Sequence, residues 1–325
     1  MYILNVLCLK YDVISLVVLF FFNLKSDVYK GRIMKLKLTS IIKIIRIHQY
    51  IKNLFIFLPL FFAMKITDTG LLSNAFIAFI AFSLTASAIY TLNDYHDIEE
   101  DRQHPKKKDR PLASGAISKS QAIIIMSVLF CAGFTLMALL SFKATGVLAA
   151  YVVMNVAYSF SLKHVSIVDV NIIAIGFVLR LFIGSVVTDI HLSKWIVIMT
   201  FLLALFMALA KRRDDVLIFL DTGKRMRKVI DGYNLQFLDT AMAIMASVVI
   251  VAYTLYTASP EVEVKFNSEY LYLTAFFVIL GIMRYLKIAF VHKNSGSPTK
   301  IVSTDRFMQL VLLGWVVTFT WILYQ

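Results

Sequence analysis

Cysteine, proline and glycine are all scarce in this 325-residue chain, which has 2, 5 and 12 of them. Cys8 and Cys131 stand far apart in apolar surroundings, so no disulfide framework or metal-ligand spacing can be built from them. Both read as core-packing residues. Clear inverted repeats and paired Gly/Pro interruptions of apolar segments, the marks of a transporter, are also lacking. Within residues 1–33 an apolar run from Val13 to Leu24 is too short for a comfortable span and has no small-residue cleavage site. It reads as a signal-like segment, a marginal helix or an extension without function. The last is favoured, because Met34 opens MKLKLTSIIKIIRIHQYIKN, which looks like a natural membrane-protein start. The expected organisation is therefore an extension over 1–33 and a functional domain over 34–325.

What the chain does have is apolar residues. They make up 59% of it, against about 45–50% in a soluble domain, and the mean hydropathy is +0.77. Nine stretches approach or exceed the ~20 residues that cross a bilayer: 53–66, 71–92, 121–141, 144–162, 166–187, 193–210, 236–258, 270–290 and 307–324. Lipid leaves no backbone polar group unpaired, so such spans must be helical. The expected fold is an all-α polytopic membrane bundle of nine transmembrane helices.

Lysine and arginine orient it. They crowd the segment before the first span (Lys35, Lys37, Lys43, Arg46, Lys52) and the connections after spans two, six and eight. Lys163 lies after span four. The alternate connections offer only Lys65, Lys143, Lys194 and Lys265. The positive-inside bias places Met34 and every even-numbered connection in the cytoplasm. The net charge of +13 is mostly this asymmetry, so no nucleic-acid partner is inferred from it.

The connection after span two reads NDYHDIEEDRQHPKKKDRPLASG. Asp94, Asp97 and Asp101 fall at i, i+3 and i+7, on one face of a helix with Asn93 beside them. Converging carboxylates repel unless a cation sits among them, and hard oxygen ligands suit Mg²⁺ completed by substrate phosphates. The alternative is a solvated acidic turn at a helix end. His104, Lys106, Lys107, Lys108 and Arg110 follow at once. Acid, metal and base side by side would make a diphosphate site, with Mg²⁺ bridging phosphate oxygens and Lys106 and Arg110 holding the remainder.

The connection after span six reads KRRDDVLIFLDTGKRMRKVIDGY, in which cations outnumber acids. Lys211, Arg212, Arg225 and Arg227 are candidates for phosphate binding, and each could equally be an orientation signal. Arg180 lies well inside span five, where an unpaired charge costs ~2.5–3.5 kcal/mol or more. It should face the bundle interior, as a phosphate ligand or as half of a structural ion pair. Lys163, after Tyr158 and Ser159, and Lys52 with Asn53 at the first span are similar candidates.

The stretch NDYHDIEEDRQHPKKKDRP resembles the first aspartate-rich motif, N-D-x-x-D-x-x-x-D, of the UbiA superfamily of intramembrane prenyltransferases. RIHQYIKNLFIFLPLFFA, YSFSLKHVSIVDVNIIAIGFVLRLFIGS, ALAKRRDDV and RKVIDGYNLQFLD extend the likeness from about Ile44 to the C-terminus. Together they resemble its decaprenyl-phosphate phosphoribosyltransferase branch. The resemblance implies nine helices around a cytoplasm-facing polar cavity, with Mg²⁺ held by Asp94, Asp97 and Asp101 as catalytic metal ligands. Asp215 matches an acidic position of the branch and would be a second metal ligand or a base. The implied reaction moves 5-phosphoribosyl from phosphoribosyl diphosphate to a polyprenyl phosphate lipid, at the cytoplasmic face of a bacterial plasma membrane. Ordinary superfamily members carry a second aspartate-rich motif where this chain has cations. The runner-up is isoprenoid transfer from a diphosphate to an aromatic acceptor, and the third reading is a non-catalytic transporter or lipid-binding protein.

Overall fold

Among the described residues, helix runs through most of each of the nine apolar stretches, and side-chain caps set several of the ends. The computed structural model describes residues 39–103, 107–223, 228–292 and 298–323. The expected extension over 1–33, with Cys8, lies outside them. After a helical stretch over residues 39–45, the chain turns at Arg46 into a 3-10 helix, Ile47–Phe57, and then α1, Leu58–Phe62. The Asp68 carboxylate accepts from the N–H groups of Gly70 and Leu71 and starts α2, Thr69–His96. The short α3, Ile98–Gln103, follows. A reciprocal Ser118–Gln121 capping box opens α4, Lys119–Leu140, ahead of α5, Phe142–Phe160, and α6, Val168–Thr188. Ser193 caps α7, Lys194–Thr222, which stops at Gly223 with φ 66°. Asn234 caps α8, Leu235–Thr257. The rest is α9, Pro260–Phe266; α10, Ala275–Phe290; α11, Pro298–Thr304; and α12, Arg306–Leu323.

Six helices among the described residues are long and apolar enough to cross a membrane: α2, α4, α6, α7, α8 and the segment Tyr270–Phe290. The other three expected spans are helical but fall short. The first is broken between the 3-10 helix and α1, and α12 is shorter. α5 is long enough, yet carries Lys143, Asn155, Tyr151 and Tyr158.

The chain divides into two compact units, Met1–Phe160 with Leu179–Leu192, and Ser161–Val178 with Ser193–Gln325. α6 thus contributes its first half to the second unit and its last half to the first. In the first unit α2 buries a run of small residues, Ala75, Ala78, Ala81, Ala86 and Ala88. Small side chains let backbones approach where hydrophobic exclusion is weak. Its buried hydroxyls are all partnered: Thr85 and Thr91 donate to carbonyls one turn back, and Ser87 donates to Ile45 O. Ser83 accepts from the Asn53 amide at 2.8 Å. In the second unit Leu209, Leu238, Met242, Ile282 and Tyr285 form the core between α7, α8 and α10. Cys131, expected in a core, is exposed on α4. An apolar residue of a membrane helix can face outward as readily as inward, so apolarity alone did not decide its side.

Gly184 marks the closest approach in the first unit, since a Cβ there would meet Ile56 O at 2.1 Å. Gly184→Ala should therefore cost about 1–3 kcal/mol of stability as an overpacking change. A lowered unfolding temperature in detergent would register it. Gly146→Ala, with nothing within 4 Å, should leave the protein unchanged or gain up to about 1 kcal/mol.

Candidate active site

The first unit gathers its charge at the end of α2. Asp94 and Asp101 are each 2% exposed, which a carboxylate tolerates only with strong partners. Arg110 supplies them, its Nη1 donating to Asp94 Oδ1 at 2.9 Å and Asp101 Oδ2 at 2.7 Å. Arg46 Nη2 donates to the same Asp94 oxygen at 2.5 Å while its guanidinium lies over the Tyr90 ring. Lys107 Nζ stands 3.8 Å from Asp101 Oδ1. Asp97 sits differently. Its carboxylate accepts from the Asn93 amide at 3.0 Å. Asn93 and Asp97 are four residues apart and so neighbours on one helical face, and Asp97 takes φ −94°, ψ 13° between α2 and α3. The expected trio of converging carboxylates is thus an arginine-bridged pair with its third member set on Asn93. Among the described residues no group of three acidic, histidine or cysteine side chains forms a metal-ligand set. A pair still fits Mg²⁺, which commonly takes one or two protein carboxylates and fills its shell with water and substrate phosphate. Glu99 and Glu100 are exposed, and Glu99 pairs with Arg102.

A second set of cations lies in the same unit. Arg180 is 5% exposed, donates from Nε to Asn53 Oδ1 at 2.8 Å, and rests over the rings of Phe82 and Tyr151. Lys52, in the 3-10 helix Ile47–Phe57, lies outside the six spans. Burial, with the neighbouring Arg180 and Arg46, holds its ammonium down to about 8. A lysine so placed gains most from an anion.

The second unit holds a different arrangement. Arg212 on α7 is 1% exposed and donates from Nε to Asp169 Oδ2 and from Nη1 to Asp215 Oδ2, the latter at 2.9 Å. Asp169, in the first turn of α6, is fully buried. It also accepts from the Tyr233 hydroxyl at 2.6 Å. Burial, then this bond, pushes the Tyr233 phenol well above its ordinary range. Arg213 donates to Asp239 at 2.6 Å and to Ala289 O at 2.7 Å, tying α7 to α8 and α10. Lys163 is buried and Lys211 exposed. Lys106, Arg225 and Arg227 lie outside the described residues.

Exposure sorts the arginines. Arg46 and Arg110 keep 19% and 27% of their side chains accessible, against 1% for Arg212. The first two can reach an incoming anion while holding a carboxylate; Arg212 is enclosed between its own two aspartates. Sequence reasoning counted Arg46 only as an orientation charge and gave Tyr233 no role. The RIHQYIKN segment was a signal for the first, being basic and directly ahead of a span. Nothing in the sequence around Tyr233 predicted its partner 64 residues away.

Residues 54–313 match the model of the UbiA prenyltransferase family. The chain belongs to that family. It is a membrane-embedded, prenyltransferase-type transferase. The decaprenyl-phosphate phosphoribosyltransferase of Mycolicibacterium smegmatis is 30% identical over 291 residues, covering 86% of this chain and 91% of the relative. The enzyme of that name from Corynebacterium glutamicum is 28% identical over 281 residues, 85% of this chain and 84% of its own. A UbiA homologue from Archaeoglobus fulgidus, solved with GPP and Mg²⁺, superposes with a TM-score of 0.65 at 16% identity, over 88% of this chain and all of its own. That likeness is one of fold.

The burial of Arg212 gives a stability expectation. Arg212→Ala would leave Asp169 buried without its cation and should cost about 3–5 kcal/mol. Arg212→Lys should restore little, because an ammonium lacks the planar fork that serves two carboxylates. Thermal unfolding in detergent measures both.

Proposed function

We propose that this protein transfers the 5-phosphoribosyl group of phosphoribosyl diphosphate to a polyprenyl phosphate in the plane of a bacterial plasma membrane. The observation that carries the reading is the pair Asp94 and Asp101 bridged by an accessible arginine, in a chain whose ~30% identical relatives over most of their length bear that activity's name. Asp94 and Asp101 would hold Mg²⁺, with Asp97 and Asn93 adjacent. When bound, the metal would neutralise charge growing on the departing diphosphate. Arg110, Arg46 and Lys107 face those carboxylates and would donate to the same diphosphate oxygens, their charge-assisted bonds strengthening as negative charge develops.

The donor carries a remote 5-phosphate besides its diphosphate, and the acceptor carries a third phosphate. Lys52, Arg180 and Lys163 are cations in surroundings that repay an anion, and Lys106, Lys211, Arg225 and Arg227 add to them. Arg212, enclosed within the second unit, and its partner Asp215 would support the fold there rather than touch substrate. An oxygen of the lipid phosphate attacks C1 of the ribose as the C1–O bond to diphosphate breaks on the opposite face. Diphosphate leaves with the bonding electrons, and the lipid keeps a phosphodiester to ribose 5-phosphate. The attacking phosphate is already anionic, so no general base is required. The positive-inside asymmetry supports a site that opens to the cytoplasm.

The test is incubation of purified protein with labelled donor and polyprenyl phosphate. Diphosphate should be released from phosphoribosyl diphosphate only when the lipid phosphate and Mg²⁺ are both present. Turnover of a prenyl diphosphate with an aromatic acceptor, and none of phosphoribosyl diphosphate, would promote the prenyl-transfer reading instead. Asp94→Asn and Asp101→Asn should each lower turnover by ~10²–10³-fold while the protein stays folded.

Lys52 adds a pH expectation. It must be protonated to attract phosphate, and its folded value near 8 lies below that of a free lysine. The charged form, and with it substrate capture, is therefore full below about pH 8 and lost as pH rises through it. In wild type kcat/KM should fall above pH 8; in Lys52→Arg, which stays charged, that alkaline limb should disappear.

A further inference from the structure

The loop between α5 and α6 holds a backbone feature that the proposed reaction has not used. Ile167 has φ 69°, in the left-handed region where a β-branched residue is an outlier. It is 55% exposed, so burial of its side chain does not offset the strain. What holds it is hydrogen bonding from both sides. Its N–H donates to the Tyr233 hydroxyl at 2.6 Å. Its carbonyl accepts from the Asn171 N–H at 3.1 Å and the Asn171 amide at 2.8 Å.

Tyr233 in turn is fixed by the buried pair beneath it. Its hydroxyl donates to Asp169 Oδ1 while Arg212 holds the other oxygen of that carboxylate. The turn bearing Tyr233 packs directly on the loop, since a Cβ on Gly232 would come within 2.7 Å of Ser166 Oγ. One phenol thus joins a strained residue, a fully buried aspartate and the loop carrying Lys163. Strain maintained at such a cost in bonding points to a required geometry.

We infer that Tyr233 is a positioning residue for the transfer reaction, clamping Ile167 in its left-handed conformation so that the 161–168 loop presents Lys163 to a substrate phosphate. This rests on the proposed function for Lys163's role and on the geometry alone for the clamp. Removing the hydroxyl lets Ile167 relax to negative φ and moves the loop, without emptying any cavity.

The experiment uses the full-length protein in detergent. Tyr233→Phe should raise KM for phosphoribosyl diphosphate about ten-fold, the scale of one lost hydrogen bond, with kcat within about two-fold of wild type. Amide exchange in 161–168 should quicken while exchange in the α8 core does not. Adding Ile167→Gly to Tyr233→Phe should recover most of the KM, because glycine adopts φ > 0 without strain. Ile167→Pro removes that N–H and also fixes φ near −65°, so it imposes the relaxed backbone directly and should reproduce the defect without altering Tyr233. An unchanged KM in both single variants overturns the inference. So does a parallel loss of kcat and stability that glycine does not correct, which is the pattern of a merely structural tyrosine. If wild type does not use phosphoribosyl diphosphate, the proposed reaction falls, and exchange decides the clamp: unaltered protection of 161–168 in Tyr233→Phe defeats it.

Discussion

A carboxylate buried in a chain this apolar must be answered by a cation, and the polar parts of both units follow from that requirement. Asp94, Asp101 and Asp169 are almost fully enclosed, and each is held by arginine. Lysine would not serve as well. A guanidinium holds five N–H donors in one rigid plane: Arg212 meets Asp169 and Asp215 from two nitrogens, and Arg110 meets Asp94 and Asp101 from Nη1. These pairings need not add net stability over apolar packing, but breaking one strands a buried charge. They therefore hold their geometry.

The two arginine centres have different uses. In the first unit the guanidiniums remain partly accessible, so on the proposed reading an anionic substrate would compete with Asp94 and Asp101 for the same donors. A cation delivered to the carboxylates and a diphosphate delivered to the arginines would satisfy all four groups together. In the second unit Arg212 has no such access, and its aspartates, with Tyr233 above them, shape the loop before α6. One centre is suited to exchange partners and the other to stay as it is.

Much of this was legible in the sequence. Apolar runs separated by cationic connections located every long helix, because lipid allows a spanning segment no other backbone. N-D-x-x-D-x-x-x-D marked the acidic cluster because residues at that spacing fall on one helical face. The spacing did not say which partner each carboxylate would take, however, and Asp97 accepts from Asn93 one turn back while Asp94 and Asp101 share Arg110. Long-range pairing was not legible. Arg212 looked like one cation among many until the fold enclosed it with Asp169, and Arg46 looked like an orientation signal until it reached Asp94. Local pattern reports which face a residue is on; only the fold reports which charge it meets.

The central claim is that Asp94, Arg110 and Asp101 act as one unit on the donor. A double-mutant cycle between Asp101→Asn and Arg110→Gln, read as the dissociation constant of phosphoribosyl diphosphate in the presence of Mg²⁺, addresses it most directly. A shared unit gives a coupling energy of at least about 1 kcal/mol between the two changes. Effects that add within about 0.3–0.5 kcal/mol would mean the residues meet the donor independently, and would contradict the account.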